Sequence, residues 1–152
     1  MRLRKLSNLI SRAGSTTWDN VTYDTCDKYL PAHDGDVAKV VRVIDGDTVH
    51  LALKSNGTFT RIVCRLHGID AAELHSKDEH EKALGEKAKS ILAAACDNKL
   101  VTLSNVGLEK YGRLLADLTV EGTNVTLSQV MLKVPDVCHA YDGGKKSPWL
   151  NK

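Results

Sequence analysis

Three strand-like segments follow one another between residues 37 and 69, and they limit the fold of this chain more than any other feature. The first, VAKVVRVI, is rich in β-branched residues and ends at the turn sequence DGD. The second, TVHLAL, alternates apolar and polar residues before Asn56-Gly57, a strong hairpin signal. The third is FTRIVCRLHGI. Short turns between neighbouring strands predict a meander in which the second and third strands pair antiparallel.

The third segment has two chemically different faces. Side chains in a strand alternate between the two sides of the sheet. One side is apolar and the other mixes basic and apolar residues: Ile62, Cys64 and Leu66 against Arg61, Val63, Arg65 and His67. Arg65 is therefore expected on the more polar face, near the end of the strand.

Two more strands and two helices are predicted after these segments. DEHEKALGEKAKSILAAAC repeats apolar residues at helical spacing, and Ser76 with Glu79 predicts a capping box. KLVTLSNV and RLLADLTV have strand patterns, and NVTLSQVMLKV predicts a second helix capped by Thr123 or Asn124. This order is that of an OB-fold. We therefore predict an α+β, mainly β protein: a five-stranded Greek-key barrel with a helix between strands three and four and a C-terminal helix.

The length of 152 residues suits a single domain with its own core. Residues 1–36 lack periodicity and end in the turn-rich PAHDGD, so we expect an N-terminal extension followed by a domain over residues 37–152. The first residues, MRLRKLSNLISRAG, are basic. Three interpretations stay open for them: a solvated tail, an arm that contacts nucleic acid, and an organelle-targeting segment.

Composition restricts the compartment and the partners only slightly. A formal net charge of +2 neither requires nor excludes a polyanionic partner. The four cysteines are widely spaced and form no CxxC pair, which favours reduced thiols over zinc. No apolar run is long enough to span a membrane, and no secretory signal is visible. We expect a soluble, intracellular protein that is a monomer.

Four carboxylates fall where strands end. Asp45 and Asp47 flank a glycine between strands one and two, and Asp70 and Glu73 follow strand three. Each of them alone is more typical of a turn. Because the hairpin turn lies at the far end of strands two and three, Asp47 and Asp70 should share one rim of the sheet. Converging carboxylates repel one another unless a cation lies between them, and ligands that are all oxygen favour calcium or magnesium.

Two arginines accompany these acids. Arg65 precedes Asp70 by five residues, and Arg113 opens strand five. A guanidinium binds phosphate through two parallel hydrogen bonds, so a pair of them beside a metal suits the charge that develops on a phosphodiester. Taken alone, either arginine fits a surface salt bridge better, for instance Arg65 with Asp70 or Glu73.

Three ordered motifs carry a family resemblance. RVIDGDTVHL, CRLHGIDAAEL and EKYGRLLADL, with a helix between the second and third, resemble the staphylococcal-nuclease-like (thermonuclease) family over residues 37–149. The ending YDGGKKSPW is also similar to that of viral and phage members. The resemblance implies a calcium-dependent endonuclease that hydrolyses phosphodiester bonds of DNA or RNA and leaves 3′-phosphate ends.

The resemblance also implies a metal site. Asp47 and Asp70 match the aspartates that bind Ca²⁺, with the backbone carbonyl of Ala71 as a further ligand. Asp45 matches an acid that supports the site from outside the ligand sphere.

The catalytic and nucleotide-binding roles are implied in the same way. Glu73 matches the glutamate that acts as general base on the attacking water, and Arg65 and Arg113 match the arginines that hold the phosphate. Tyr111 and Tyr141 match aromatic residues near the nucleotide, where rings stack on bases.

The chain departs from the family at Ala72, where a proline is usual. The missing proline frees φ at this position at a cost of about 0.4–1 kcal/mol in preorganisation, which predicts a looser placement of Glu73. The alternative function is a catalytically silent OB-fold module that binds nucleic acid. All six implied charged residues are present, which favours the enzyme.

Overall fold

Five strands form a closed barrel in the computed structural model, which describes residues 18–146 and 149. The strands are β1 (Val37–Asp45), β2 (Thr48–Ser55), β3 (Thr58–Leu66), β4 (Ile69–Ala71), β5 (Leu100–Leu108), β6 (Leu114–Val120) and β7 (Cys138–Ala140). The helices are α1 (Glu79–Cys96) and α2 (Leu127–Leu132). The barrel order is β1-β2-β3-β6-β5, and β5 pairs again with β1. The predicted barrel, its internal helix and its second helix are confirmed.

The hairpin between β2 and β3 fixes the register that matters for the site. Asn56 and Gly57 both have positive φ, at 50° and 79°, as a tight two-residue hairpin turn requires. From this turn the two strands pair antiparallel back to the Thr48–Arg65 pair at the opposite rim. The barrel closes where β3 meets β6 in parallel, so the rim at Arg65 is also reached by the start of β6.

The barrel interior holds the core, and α1 covers one side of it. Cys64 and Leu66 are fully buried, whereas Arg61 and His67 on the alternate side are exposed, so the predicted faces of β3 are confirmed. Ala88 and Leu92 of α1 belong to the same buried cluster as the inward side chains of the barrel. The rim that carries the acids is therefore built on a packed support.

The predicted third strand is too long. It ends at Leu66, because Gly68 adopts a φ of +82°, which an extended strand does not allow. Residues Ile69–Ala71 then form β4, which pairs with Cys138–Ala140 of β7. A three-residue strand is too short to produce a recognisable alternation, so neither β4 nor β7 was predicted. This small sheet turns Asp70 back toward the barrel.

Both helices exist, but both predicted caps are wrong. Asp78 caps α1 by accepting a backbone N–H of the first turn, while the Ser76 hydroxyl donates to Glu81. Thr126 caps α2 in a capping box with Gln129, in place of the two residues predicted. Several short polar side chains precede each helix, and tertiary packing selects which of them begins it.

The segment before the barrel starts with a 3-10 turn, Trp18–Asn20, and has no other helix or strand within residues 18–36. Its end packs on the barrel, since Ala32 is buried and the Gly35 N–H donates to the Leu103 carbonyl. The basic stretch at residues 1–17 lies outside the described residues. The division at residue 36 stays a prediction. Neither helix in the described ranges is long and apolar enough to cross a membrane.

Candidate active site

Asp47, Asp70 and Arg65 meet at one rim of the barrel. The Arg65 Nη2 lies 3.5 Å from Asp47 Oδ2 and 3.2 Å from Asp70 Oδ1, and the three side chains are largely buried. The guanidinium also donates to the Ile69 carbonyl through Nη1 and Nη2, at 3.4 and 3.2 Å. The predicted convergence of the two aspartates is present. The Arg65–Asp70 salt bridge weighed as an alternative is present too, but it is buried and includes a second carboxylate.

Asp47 is held on both carboxylate oxygens. The Thr48 hydroxyl donates to Oδ1 at 2.8 Å, and the Ala71 backbone N–H donates to Oδ2 at 2.9 Å. This second bond joins the β1–β2 connection to β4 and orients Asp47 toward Asp70. Ala71 therefore contacts Asp47 through its N–H, whereas the ligand role expected for it concerns its carbonyl.

Asp45 lies beside this cluster and is half-buried. Its Oδ1 accepts the Asp47 backbone N–H at 3.2 Å. Burial, reinforced by the negative charge of Asp47, raises the pKa of Asp45 to about 7. Near neutral pH this carboxyl is therefore partly protonated, which reduces the charge that the rim must balance.

Lys146 completes the charge balance, and sequence reasoning missed it. Its Nζ lies 2.8 Å from Asp70 Oδ1 and 3.6 Å from Glu73 Oε1. Desolvation opposes its charge, but the hydrogen bond to Asp70 and the charges of Asp70 and Glu73 raise its pKa. The only sequence signal was the basic composition of the tail. Two cations, Arg65 and Lys146, thus sit among the carboxylates.

Glu73 is the exposed acid of the group, with 58% of its side chain accessible. Its backbone presses against α1 at Gly85: a Cβ built on Gly85 would lie 2.8 Å from the Glu73 carbonyl carbon and oxygen. The glycine inside a predicted helix was the available signal, since glycine there is unfavourable without a packing reason. Gly85 is thus a positioning residue for the segment that carries Glu73.

Gly46 separates the two acids of DGD for a similar reason. A Cβ on Gly46 would lie 2.5 Å from the Ala88 Cβ and 2.7 Å from the Ala71 Cβ. The turn sequence suggested a conformational role, but Gly46 has no positive φ. Its role is close approach: the β1–β2 connection touches α1 and β4 at this point, which fixes Asp47 beside Ala71.

Arg113 immediately precedes β6, the strand that closes the barrel against β3. Its Nη2 donates to Glu109 Oε2 at 3.2 Å, and this hydrogen bond raises the pKa of Arg113 further. The Nε is buried and has no hydrogen-bond partner among the described residues. Arg113 also feels the negative charges of Asp47 and Asp45. It therefore keeps an unused donor beside the carboxylate rim.

A cavity of about 1060 Å³ joins the arginines to the tyrosines. Arg65, Arg113, Tyr111 and Tyr141 all line it. Tyr141 stacks near Arg65, with the guanidinium carbon 5.5 Å from the ring centre. Tyr111 is 74% exposed at the mouth, with the Lys110 Nζ 4.9 Å from its ring. Both predicted aromatic residues thus border the same space as both arginines.

The residues expected to bind a metal are less closely grouped than the ion pairs of the rim. Within residues 18–146 and 149, no group of three or more His, Cys, Asp or Glu side chains is arranged so that it could hold a metal ion. The side-chain oxygens that meet at the rim belong to Asp47 and Asp70, with Lys146 on Asp70. The donors are all oxygen and their charge already attracts cations, which suits a hard divalent ion.

A closed five-stranded barrel with a helix between its third and fourth strands is the architecture of an OB-fold, and here one rim bears two buried aspartates around Arg65. A model of the family described as "Staphylococcal nuclease homologue" matches residues 63–134. Residues 63–134 therefore match a staphylococcal-nuclease-like domain.

Curated relatives of the chain include two proteins named as endonucleases. Endonuclease YhcR of Bacillus subtilis is 34% identical over 110 residues, 66% of this chain and 9% of the relative. An uncharacterized endonuclease of Haemophilus influenzae is 34% identical over 92 residues, 60% of this chain and 47% of the relative. An uncharacterized protein of Methanocaldococcus jannaschii is 28% identical over 137 residues, 76% of this chain and 64% of the relative. The chain spans less than two thirds of the length of each.

Proposed function

We propose that the protein is a calcium-dependent endonuclease that hydrolyses phosphodiester bonds in DNA or RNA and leaves 3′-phosphate ends. The observation that carries the proposal is the grouping of Asp47, Asp70 and Arg65 at the rim, with Arg113 lining the adjoining cavity. The family match and the endonuclease names of two relatives support the same reaction class.

The carboxylates of Asp47 and Asp70 and the carbonyl of Ala71 would hold the metal. Calcium held there would supply polarisation of the phosphoryl oxygens and would favour ionisation of a nearby water. Lys146 lies on Asp70 by a 2.8 Å contact and is half-exposed, so metal binding requires this side chain to swing away. Arg65 remains between the aspartates and restrains their separation.

Glu73 is suited to the proton transfer because it is the accessible carboxylate next to this pair. In the proposed mechanism its Oε atom accepts a proton from the water that attacks phosphorus. Arg65 and Arg113 donate hydrogen bonds to the phosphate oxygens, whose negative charge increases in the transition state. The Arg113 side chain lines the cavity and is 37% exposed, so its guanidinium would donate to the phosphate in exchange for its bond to Glu109.

The cavity beside the rim accommodates the nucleotide. Tyr111 and Tyr141 present ring faces there, and such faces stack on any base, so we expect weak sequence preference. The nearby cations, Lys110 and Lys145, are suited to the phosphates that flank the cleaved bond.

The test is cleavage of end-labelled single-stranded DNA and RNA with calcium or with a chelator. We expect calcium-dependent products whose 3′ phosphate is removed by phosphatase. Glu73→Gln and Arg113→Ala should each lower kcat by at least about 100-fold. Glu121→Gln, an exposed acid on the turn after β6, is the matched control and should leave kcat unchanged.

Two results would contradict the proposal in different ways. Cleavage that persists in both active-site variants would show that the roles assigned to Glu73 and Arg113 are wrong. Calcium-independent binding of the oligonucleotides without any cleavage would identify a nucleic-acid-binding module, the alternative raised by the sequence.

A further inference from the structure

The outer surface of the first three strands carries a separate group of cations. Lys39 lies opposite Ala52, and Ala52 lies opposite Arg61, so the register places Lys39 and Arg61 in one row across β1, β2 and β3. Arg42 belongs to the next row, opposite His50. We define the basic strand face as five exposed residues: Lys39, Arg42, Lys54, Phe59 and Arg61.

A β-bulge brings Arg42 to this face. The register between β1 and β2 shifts between Val40 and Arg42, where β1 contains an extra residue. Val40 and Val43 both point into the core, at 0% and 6% exposure, whereas Val41 and Arg42 are both exposed. With regular alternation Arg42 would have shared the inward side of Val40. The bulge therefore exposes an arginine that a regular strand would bury.

No acid balances these charges. Strands β2 and β3 contain no Asp or Glu, and the single acid of β1 is Asp45 at the catalytic rim. Across the described part of the chain, none of the four cations forms an ion pair. Burial, followed by the positive charges of Arg61 and Arg42, lowers the pKa of His50 between them. Repulsion within the face would be relieved by a bound polyanion.

An exposed aromatic ring extends the basic strand face. Phe59 is 73% exposed beside the hairpin turn, and the Lys54 Nζ lies 5.8 Å from its ring centre. The ring face is therefore open to a ligand, next to a cation. A cation and an open ring side by side suit a nucleotide, because the cation binds the phosphate and the ring stacks on the base.

Strand β3 connects the face to the active site. Arg61 and Arg65 are four residues apart and on the same side of the strand, so their backbones are about 13 Å from each other. Arg65 lies in the carboxylate rim, and Phe59 lies at the opposite end of the same strand. A chain of phosphates that leaves the rim along β3 would therefore pass over the basic strand face.

We propose that the basic strand face binds a single-stranded polynucleotide, as a continuation of the strand held at the active site. The proposal rests on the proposed function for the position of the cleaved bond, but binding to the face requires no cleavage. It implies that long substrates bind more tightly than short ones through contacts of the outer strands.

The test measures binding in the presence of a chelator, so cleavage does not contribute. Arg42→Gln/Arg61→Gln removes two cations of the face, and Lys87→Gln/Lys133→Gln removes the same charge from exposed sites on α1 and after α2. Fluorescence anisotropy is recorded against salt with single-stranded DNA of about 30 and about 4 nucleotides. Thermal melting verifies that both variants fold.

We expect the salt slope for the long DNA, log Kd against log salt, to fall by about 1.4 in the face variant, about 0.7 for each lost phosphate contact. The slope for the short DNA and that of the control variant should match wild type. Equal slopes for the face and control variants with the long DNA would overturn the proposal. The proposal would also be overturned if the face variant lost binding to phosphatidylserine vesicles but bound DNA like wild type, because the face would then belong to a membrane contact.

Failure of the proposed function would be recognised separately. Suppose that the protein shows no cleavage, and that the salt slope of the face variant is still lower than that of wild type. The polynucleotide surface then stands and the nuclease assignment falls. If cleavage is normal and the slopes of both variants are equal, the surface is wrong and the nuclease assignment is unaffected.

Discussion

At the scale of single residues, two glycines set the geometry of the acids. Gly46 lets the β1–β2 connection approach Ala71 and Ala88, and Gly85 lets the Glu73 backbone lie against α1. In both places the missing side chain creates space for another element, because neither glycine has a positive φ. The spacing of the charged side chains therefore depends on residues that carry no charge.

Gly85→Ala should lower the cleavage rate more than it lowers stability. Alanine gains about 1 kcal/mol of helix propensity, but its Cβ would displace the Glu73 backbone, 2.8 Å away. We expect kcat to fall by about 10- to 100-fold, because misplacement by about 1 Å is costly in catalysis. Gly107→Ala is the control, since a Cβ there meets nothing within 4 Å. Unchanged kcat in Gly85→Ala would contradict the positioning role.

Lys146→Met should tighten the binding of divalent cations. The ammonium lies 2.8 Å from Asp70 and 3.6 Å from Glu73, so it competes with a metal for the same carboxylates. Because half of the side chain is exposed, the contact is worth at most about 1 kcal/mol, and the Kd for calcium should fall by up to about fivefold. Titration calorimetry measures this change.

Lys145→Met is the control for that measurement, because it removes the same charge from the neighbouring exposed position. If both variants bind calcium with the same affinity, the effect is one of general charge and the competition at Asp70 is wrong.

At the scale of elements, the short β4–β7 sheet compensates for the missing proline. The Ala72 N–H donates to the Val137 carbonyl at 3.0 Å, and Ala72 is 1% exposed. The segment between Asp70 and Glu73 is therefore held by a buried hydrogen bond that proline cannot make. The looser placement of Glu73 was predicted without this hydrogen bond, which no local sequence pattern shows.

Ala72→Pro should consequently destabilise the protein. The rigid ring gains about 0.4–1 kcal/mol, but the Val137 carbonyl loses its partner, which costs about 1–3 kcal/mol. We expect the free energy of unfolding to fall by about 1 kcal/mol in a denaturant titration. Ala72→Gly, which keeps the N–H but frees the backbone, serves as the comparison. A proline variant more stable than wild type would show that chain entropy outweighs the hydrogen bond.

At the scale of the whole molecule, the closed barrel buries thiols that cannot ionise in place. Burial raises the pKa of Cys64, of Cys96 and of Cys138 to about 12, from an ordinary value of 9.0. Between pH 9.0 and about pH 12 the folded protein therefore keeps thiol protons that the unfolded chain has released. The contribution of the protonated thiols to stability is therefore complete below about pH 9 and is lost as the pH rises toward 12.

Stability should therefore fall on the alkaline side, by up to about 4 kcal/mol per pH unit for the three buried thiols together. Urea unfolding from about pH 8 to about pH 11 measures the slope. Cys96→Ala should remove roughly a third of the cysteine contribution. Cys26→Ala, at an exposed position, should leave the slope unchanged. Equal slopes in both variants would contradict the assignment to buried thiols.

Local patterns in the sequence determined most of the elements and the identity of the charged residues. Alternation placed Arg65 on the polar side of β3, and the hairpin turn placed Asp47 and Asp70 at one rim, because both rules depend on neighbours along the chain.

Contacts between residues distant in sequence needed the tertiary structure. Pairing of β4 with β7, the approach of Gly85 to Glu73, and the contact of Lys146 with Asp70 each join segments that no local period connects. The sequence by itself thus determined that Asp47, Asp70 and Arg65 converge on one rim. Only the folded chain decided how they are spaced, which cation lies between them, and which strand surface continues the site, since packing and charge balance are properties of the assembled barrel.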